Sequence, residues 1–414
     1  MSALNPQRTI QELKELRALT GDENGAQRVA FTELWAKARR WLEEKARAIG
    51  AEPQRDEAGN LWMTLRGDSE KALLMGGHID SVPNGGWLDG CLNTLAGLEI
   101  LRRIHTQYNG KPAVTIRLVD WADEEGARFG KSLFGSSACS GNLGVEEARR
   151  LVDRDGITLP DALREQGIDF ERVKKCGSQL KNAAAYLELH IEQGPVLLDL
   201  DLPLGAVLGT FGVERHAFTF HGQAAHSGST PMNRRKDAFL AAAKMSPEIY
   251  KIAERHRGVC TIGSCVTKPG IVTSVVEECR ITLDQRQLDP SALSAMWQEV
   301  QEASGRFAKD GNVSVSTERL WQIDPMPFHP ELIDLCEESI REVCGKTYRL
   351  PSGPLHDAAE VARAGVPTVM MFVQSLHGIS HNKIEDTKEE HLELAVRAFD
   401  KLASKTIDWL TKRQ

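Results

Sequence analysis

What the chain lacks narrows its chemistry first. Its eight cysteines are scattered and none forms a C-x-x-C pair, so zinc-finger and thioredoxin-like readings have no support. No G-x-S-x-G elbow occurs, which disfavours a serine hydrolase of that design. No apolar run approaches the roughly 18 residues that a membrane span needs. Residues Met1 to Arg8 hold no apolar signal-peptide core, and the expectation is a cytoplasmic protein with reduced thiols. The net charge of −7 leaves no basic footprint for nucleic acid. Repeats and low-complexity tracts are also missing. The 414 residues leave room for two or three domains of roughly 150 residues each.

What is present is an α/β pattern interrupted once. Residues 27–50 carry Val29, Leu34, Ala38, Trp41, Leu42 and Ala46 near a 3.6 period and read as a helix stopped at Gly50. Short strands read at 61–65, 73–75, 114–119 and 184–189. From Gly212 the pattern becomes strand, helix (235–254), two strands (259–266 and 275–283), helix (290–307) and strand (313–315). That β-α-β-β-α-β order is the split ferredoxin-like unit. The α/β pattern then returns with a helix at 331–344, a buried strand at 368–373 and a closing helix at 390–410. The expected fold class is α/β: a mixed-sheet catalytic domain over residues 1–211 and 328–414, with an α+β domain inserted at 212–327.

The strand ends carry the chemistry. The run Gly76-Gly77-His78-Ile79-Asp80 follows an apolar strand, and Asp89 lies eleven residues after His78. The strand at 114–119 runs into Asp123-Glu124-Glu125, the strand at 184–189 ends on His190, and the loop after 368–373 reaches His381. Each residue alone has an ordinary reading as a surface or core residue. Delivered together, imidazoles and carboxylates without thiolate suit Zn, Mn, Co or Ni. Two such ions about 3.5–4 Å apart need a bridging ligand. Asp89 is the best candidate, since the following Gly90 allows a close backbone turn. Asp80 is placed behind His78 to hold its ring. Of Glu124 and Glu125, one can bind metal while the other serves as general base.

Motifs along nearly the whole chain resemble the hydantoinase/carbamoylase branch of the dinuclear metallopeptidase and amidohydrolase superfamily. They include Gly77-His78-Ile79-Asp80-Ser81-Val82-Pro83-Asn84-Gly85-Gly86, Asp89-Gly90, Glu124-Glu125-Gly126-Ala127-Arg128-Phe129-Gly130 and Leu189-His190-Ile191-Glu192-Gln193-Gly194-Pro195. They continue with His226-Ser227-Gly228-Ser229-Thr230-Pro231-Met232, Leu283-Asp284-Gln285-Arg286, His356-Asp357-Ala358 and Gly378-Ile379-Ser380-His381-Asn382. The resemblance implies a metallopeptidase-like catalytic domain with an inserted lid and dimerisation domain, two divalent metal ions, and a homodimer. It implies His78 and His190 on one metal, Glu125 and His381 on the other, Asp89 as the bridge and Glu124 as general base. It further implies His226 reaching the partner's site to steady an oxyanion, Arg286 holding the substrate carboxylate, and Gln193, Thr273 and His356 lining the pocket.

The implied reaction is hydrolysis of an N-carbamoyl-L-amino acid. The alternatives are an allantoate amidohydrolase, a β-ureidopropionase, or a dipeptidase or deacylase on the same scaffold. Four departures bear on the substrate. Val213 stands where allantoate hydrolases place a glutamine, which leans away from allantoate. Thr273 replaces a usual asparagine and cannot offer an amide's paired donor and acceptor. Asn93 replaces a glycine and Gln374 a proline.

Overall fold

The computed structural model describes residues 4–413; Met1, Ser2, Ala3 and Gln414 lie outside the described residues. The chain divides into two compact units, one running to Leu208 and resuming at Phe328, the other Gly209–Pro327. No helix of the described residues is long and apolar enough to cross a membrane.

The larger unit is built on strands β1 (Glu52–Arg55), β2 (Leu61–Leu65), β3 (Ser69–His78), β4 (Val114–Trp121), β5 (Ala183–Ile191), β6 (Leu204–Thr210) and, late in the chain, a strand at Thr368–Val373. Their order across the sheet is β6, Thr368–Val373, β5, β3, β4, β2, β1. The central four (Thr368–Val373, β5, β3 and β4) are parallel. Antiparallel neighbours flank them on both sides. Central parallel strands are covered on both faces and read as unbroken apolar runs. Leu73-Leu74-Met75 and all six residues of Thr368–Val373 are accordingly buried.

The helices of this unit depart from the sequence pattern in instructive places. α1 (Pro6–Thr20) has no counterpart in the periodicity reading; Asn5 caps it and Pro6 opens it. The helix expected over 27–50 is only α2 (Glu33–Arg47). Phe31 has φ +60°, which interrupts any helix there, and the Thr32 hydroxyl caps the Trp35 N–H. Residues before it are buried loop: the Arg28 guanidinium donates to the Ile79 carbonyl at 2.7 Å. α3 (Cys91–Gln107) starts after Gly90 and links β3 to β4.

The second unit contains β7 (Gly212–His221), α4 (Ala238–Arg255), β8 (Val259–Lys268), β9 (Glu278–Gln287), α5 (Pro290–Asp310) and β10 (Ser314–Ile323). Its sheet runs β8-β9-β7-β10, antiparallel throughout. Phe218, Phe220, Met245, Ile249, Leu283, Met296 and Val300 form its core. β10 extends well past the expected 313–315. Its side chains are exposed on both faces along most of its length, so no alternation marks its end. The chain then returns to the larger unit through α6 (Pro330–Cys344), β11, the strand Thr368–Val373 already described, and α7 (Glu389–Thr411).

Candidate active site

All four central strands of the larger unit point their carboxyl ends the same way, and loops from these ends meet. This is where open α/β sheets place sites. β3 ends on His78, β4 leads into Glu124 and Glu125, His190 is the penultimate residue of β5, and the loop after β11 carries His381. Non-glycine residues with left-handed backbones occur in each of these loops, among them Asn84 at φ +58°, Asp123 at +57°, Gln193 at +59° and His381 at +55°. Such strain costs on the order of 1–3 kcal/mol each and persists only where the surroundings impose it. Gly90, at φ +65°, leaves room for the His78 ring; a Cβ there would meet it at 2.4 Å.

The donors converge on Asp89. Its Oδ1 lies 3.6 Å from His78 Nε2 and 3.1 Å from His190 Nε2. Its Oδ2 lies 3.4 Å from His381 Nε2, which is 3.2 Å from Glu125 Oε2. Two groups thus could each hold a metal ion: His78, Asp89 and His190, and Asp89, Glu125 and His381. The ring tautomers suit this. His78 Nδ1 faces the Asp80 carbonyl at 3.1 Å and His190 Nδ1 the Ile191 carbonyl at 2.9 Å. A carbonyl can only accept, so in each neutral ring the proton sits on Nδ1 and Nε2 presents a lone pair. Those Nε2 atoms and Asp89 Oδ1 are buried without a hydrogen-bond partner among the described residues. Buried acceptors facing one another are costly unless a cation satisfies them. Nitrogen and oxygen donors of this kind fit borderline divalent ions.

Electrostatics follow from burial and crowding. Burial opposes charge on His78, but Glu124, Asp89 and Asp80 outweigh it and hold its pKa well above the usual imidazole value, so a cation taking the Nε2 lone pair would displace a proton from it. Burial likewise works against the Asp89 anion, yet the His190 and His78 imidazoles pull its pKa well down. For Glu124, burial pushes the pKa well up; Asp357, Glu125 and Asp89 add to this against the pull of His78. Glu124 Oε2 stands 3.8 Å from His78 Nε2, beside the donor cluster. The Asp80 carboxylate does not face the His78 ring closely, at 3.8 Å. It accepts instead from the Glu124 and Glu125 N–H groups at 3.3 and 3.2 Å.

The remaining expected residues sit as follows. The Gln193 amide donates to Asp89 Oδ2 at 2.8 Å. His356 is buried behind His190, ring centroids 4.4 Å apart, with Nε2 3.0 Å from Ser352 Oγ. In the second unit His226 is exposed, and its Nδ1 accepts from the Gly228 and Ser229 N–H groups at 3.1 and 3.2 Å. Thr273 is its neighbour: the Ser227 N–H donates to the Thr273 carbonyl at 3.0 Å. The Arg286 guanidinium donates to Asp284 at 2.8 Å, and Arg215 donates to the same carboxylate. Val213 is buried, Asn93 packs against Gly77, and the Gln374 amide donates to the Leu202 carbonyl at 3.0 Å. Cys91 is buried. Glu385, which the sequence reading passed over, is buried beside Asp89. Burial and the Asp89 charge push it up to about 8. Its only sequence signal is a spacing of four residues after His381.

The chain belongs to peptidase family M20/M25/M40, whose model matches residues 74–405. It is 35% identical over 389 residues to an N-carbamoyl-L-amino acid amidohydrolase of Geobacillus stearothermophilus, covering 93% of this chain and 94% of that protein. It is 31% identical to an allantoate amidohydrolase of Escherichia coli, covering 91% of each. A solved amidase of the hydantoinase/carbamoylase family from Burkholderia multivorans superposes with a TM-score of 0.86 at 30% identity, covering 96% of this chain and 97% of that one. Within the family the chain falls in the hydantoinase/carbamoylase branch, among hydrolases of carbon–nitrogen bonds.

Proposed function

We propose that this protein hydrolyses N-carbamoyl-L-amino acids to the L-amino acid, CO2 and NH3. The observation that supports it most is the convergence of three imidazoles, His78, His190 and His381, and the Glu125 carboxylate on Asp89, with Glu124 alongside. His78, His190 and Asp89 would hold one divalent ion (Zn, Mn, Co or Ni), and Asp89, Glu125 and His381 a second. When bound, the two ions acidify the attacking water and polarise the ureido carbonyl. Glu124 takes the proton from that water as it attacks, then delivers it to the departing nitrogen. In the homodimer of this reading, His226 reaches the partner's site and donates a hydrogen bond to the developing oxyanion. Its Nδ1 is committed as an acceptor, so the neutral ring carries its proton on Nε2. Arg286 receives the substrate carboxylate with its planar fork. Gln193, Thr273 and His356 belong to the pocket and its support. The buried, apolar Val213 favours a carbamoyl substrate over allantoate, which carries a second ureido group.

The test is ammonia release after loading with Co, Mn, Ni or Zn. The panel comprises N-carbamoyl-L-amino acids, β-ureidopropionate and allantoate, with dipeptides and N-acyl amino acids followed by amine release. Fastest turnover on N-carbamoyl-L-amino acids is expected. Silence across all the ureido compounds rejects the proposal, and turnover of dipeptides or N-acyl compounds alone moves it to a peptidase or deacylase. The same reading takes the protein as a homodimer through the inserted unit; a monomer in sedimentation equilibrium would exclude that part.

A further inference from the structure

The loop from Ser81 to Gly90 has little regular structure of its own, yet it must present Asp89 to two groups of donors. What holds it comes from the loop that carries His381. Glu385 follows His381 by four residues and is only 2% exposed. Its Oε1 accepts from both the Leu88 N–H at 3.1 Å and the Asp89 N–H at 3.0 Å. One residue further, Asp386 Oδ1 accepts from the Trp87 indole N–H at 3.2 Å. The Asp386 carbonyl accepts from the Leu376 N–H at 2.9 Å, which ties the segment back towards the end of β11. The turn between His381 and Glu385 is closed by the Glu385 N–H on the Asn382 carbonyl at 2.9 Å and the Ile384 N–H on Asn382 Oδ1 at 3.1 Å.

The facing loop is shaped for this carboxylate. A Cβ on Gly86 would fall 2.0 Å from it, so a glycine is what lets the carboxylate in. A buried carboxyl group needs partners, and its Oε1 finds two in the Leu88 and Asp89 amides. Both donors lie at Asp89 or beside it, so the clasp fixes the backbone from which the Asp89 side chain departs.

We infer that Glu385 is a positioning residue that locks the Asp89 loop to the His381 loop and thereby sets the Asp89–Glu125–His381 donor group. The inference rests on reading Asp89 and His381 as metal ligands. The two donor groups differ in how they depend on the clasp. His78 and His190 sit on β3 and β5, inside the sheet, and keep their places without it. His381 is on a loop, with half its side chain exposed. Loosening the clasp therefore costs the second group more than the first.

The experiment is calorimetric titration of metal-free protein with Zn, alongside the visible absorption of the Co-loaded protein, on the wild type and on E385A, E385Q, G86A and H381A. In E385A the site that H381A removes weakens by about 10–100-fold, the usual cost of losing an outer hydrogen bond. The other site, which shares Asp89, weakens less. E385Q retains an oxygen acceptor and recovers most of the loss. G86A, which leaves every ligand and Glu385 in the sequence, reproduces the E385A pattern by displacing the carboxylate; it carries the test should E385A fail to fold. Two sites of unchanged affinity in both E385A and G86A overturn the inference. So does equal weakening of both sites in step with a lowered thermal midpoint, since that is a general loss of stability. A wild type that takes up no Zn rejects the ligand reading itself, and the inference with it; a wild type with two sites and unaffected variants rejects the inference alone.

Discussion

Asp80 serves two neighbours with two different groups. Its carbonyl accepts from the His78 ring, and its carboxylate accepts from the backbone of Glu124 and Glu125. One residue therefore joins the end of β3 to the loop after β4. Sequence spacing leads to Asp80 as the holder of His78, but which oxygen does the holding depends on the backbone path after the strand. The donor types themselves (His78, Asp89, Glu125, His190 and His381) were legible, because each stands at the end of a strand announced by an apolar run or in the loop that follows it. Glu385 was not, since a glutamate in a loop is ordinary until the loop facing it is known. For Glu124, substitution by Gln removes the proton acceptor while leaving size and position. E124Q should lose turnover by about 10²–10⁴-fold while binding the same amount of metal in equilibrium dialysis; undiminished turnover would reject its role as base.

Between elements, the site side of the sheet is braced by a buried ion pair. Arg39 on α2 donates to Asp120 of β4 at 2.7 Å, and both are almost fully buried. Arg39 also donates to the carbonyls of Gly59 and Asp120, and the second Asp120 oxygen accepts from the Ile79 N–H at 2.8 Å, next to His78. Removing one partner strands the other charge. R39A should lower stability to urea by about 3–5 kcal/mol; a loss below about 1 kcal/mol would show the pair to be dispensable. An exposed contact between α6 and α7 behaves differently. Lys405 and Lys401 hydrogen-bond Glu342 and draw its pKa from 4.5 to about 2. A depressed carboxylate pKa stabilises the fold above the unfolded value and loses that contribution as pH falls towards the folded one. E342Q should therefore sit slightly below the wild type in thermal midpoint near pH 7, with the gap closing as pH drops from about 4.5 towards 2. The pair is exposed, so the gap corresponds to at most about 1 kcal/mol; a gap that widens in acid contradicts it. Among the elements, the central strands and α7 were readable because burial enforces their pattern. The helix at 27–50 was overextended, because Val29, Ala30 and Phe31 lie in a loop, wholly or partly buried, and continue the apolar spacing of the helix.

One end of the larger unit's sheet gathers metal-ligating atoms that are buried without a hydrogen-bond partner: His78 Nε2, His190 Nε2 and Asp89 Oδ1. Any cation that fills them stabilises the folded form over the unfolded one by mass action. Removing divalent ions with a chelator should lower the thermal midpoint, and adding Zn or Mn back should restore it. At a hundred times the dissociation constant each site contributes about 2.7 kcal/mol. A midpoint indifferent to chelator would argue against ion binding at this cluster.

The sequence by itself determined the α/β class, the interruption by a β-α-β-β-α-β unit and the kinds of atoms available for chemistry. These follow from residue type and short-range periodicity, which the chain carries locally. Only the tertiary structure decided that Asp89 stands between two histidines and a third, that Asp80 holds two glutamate amides, and that Glu385 reaches back to the Asp89 loop. Those contacts join residues up to 297 positions apart. No local pattern encodes them, because they exist only once the parallel strands have brought their carboxyl ends together.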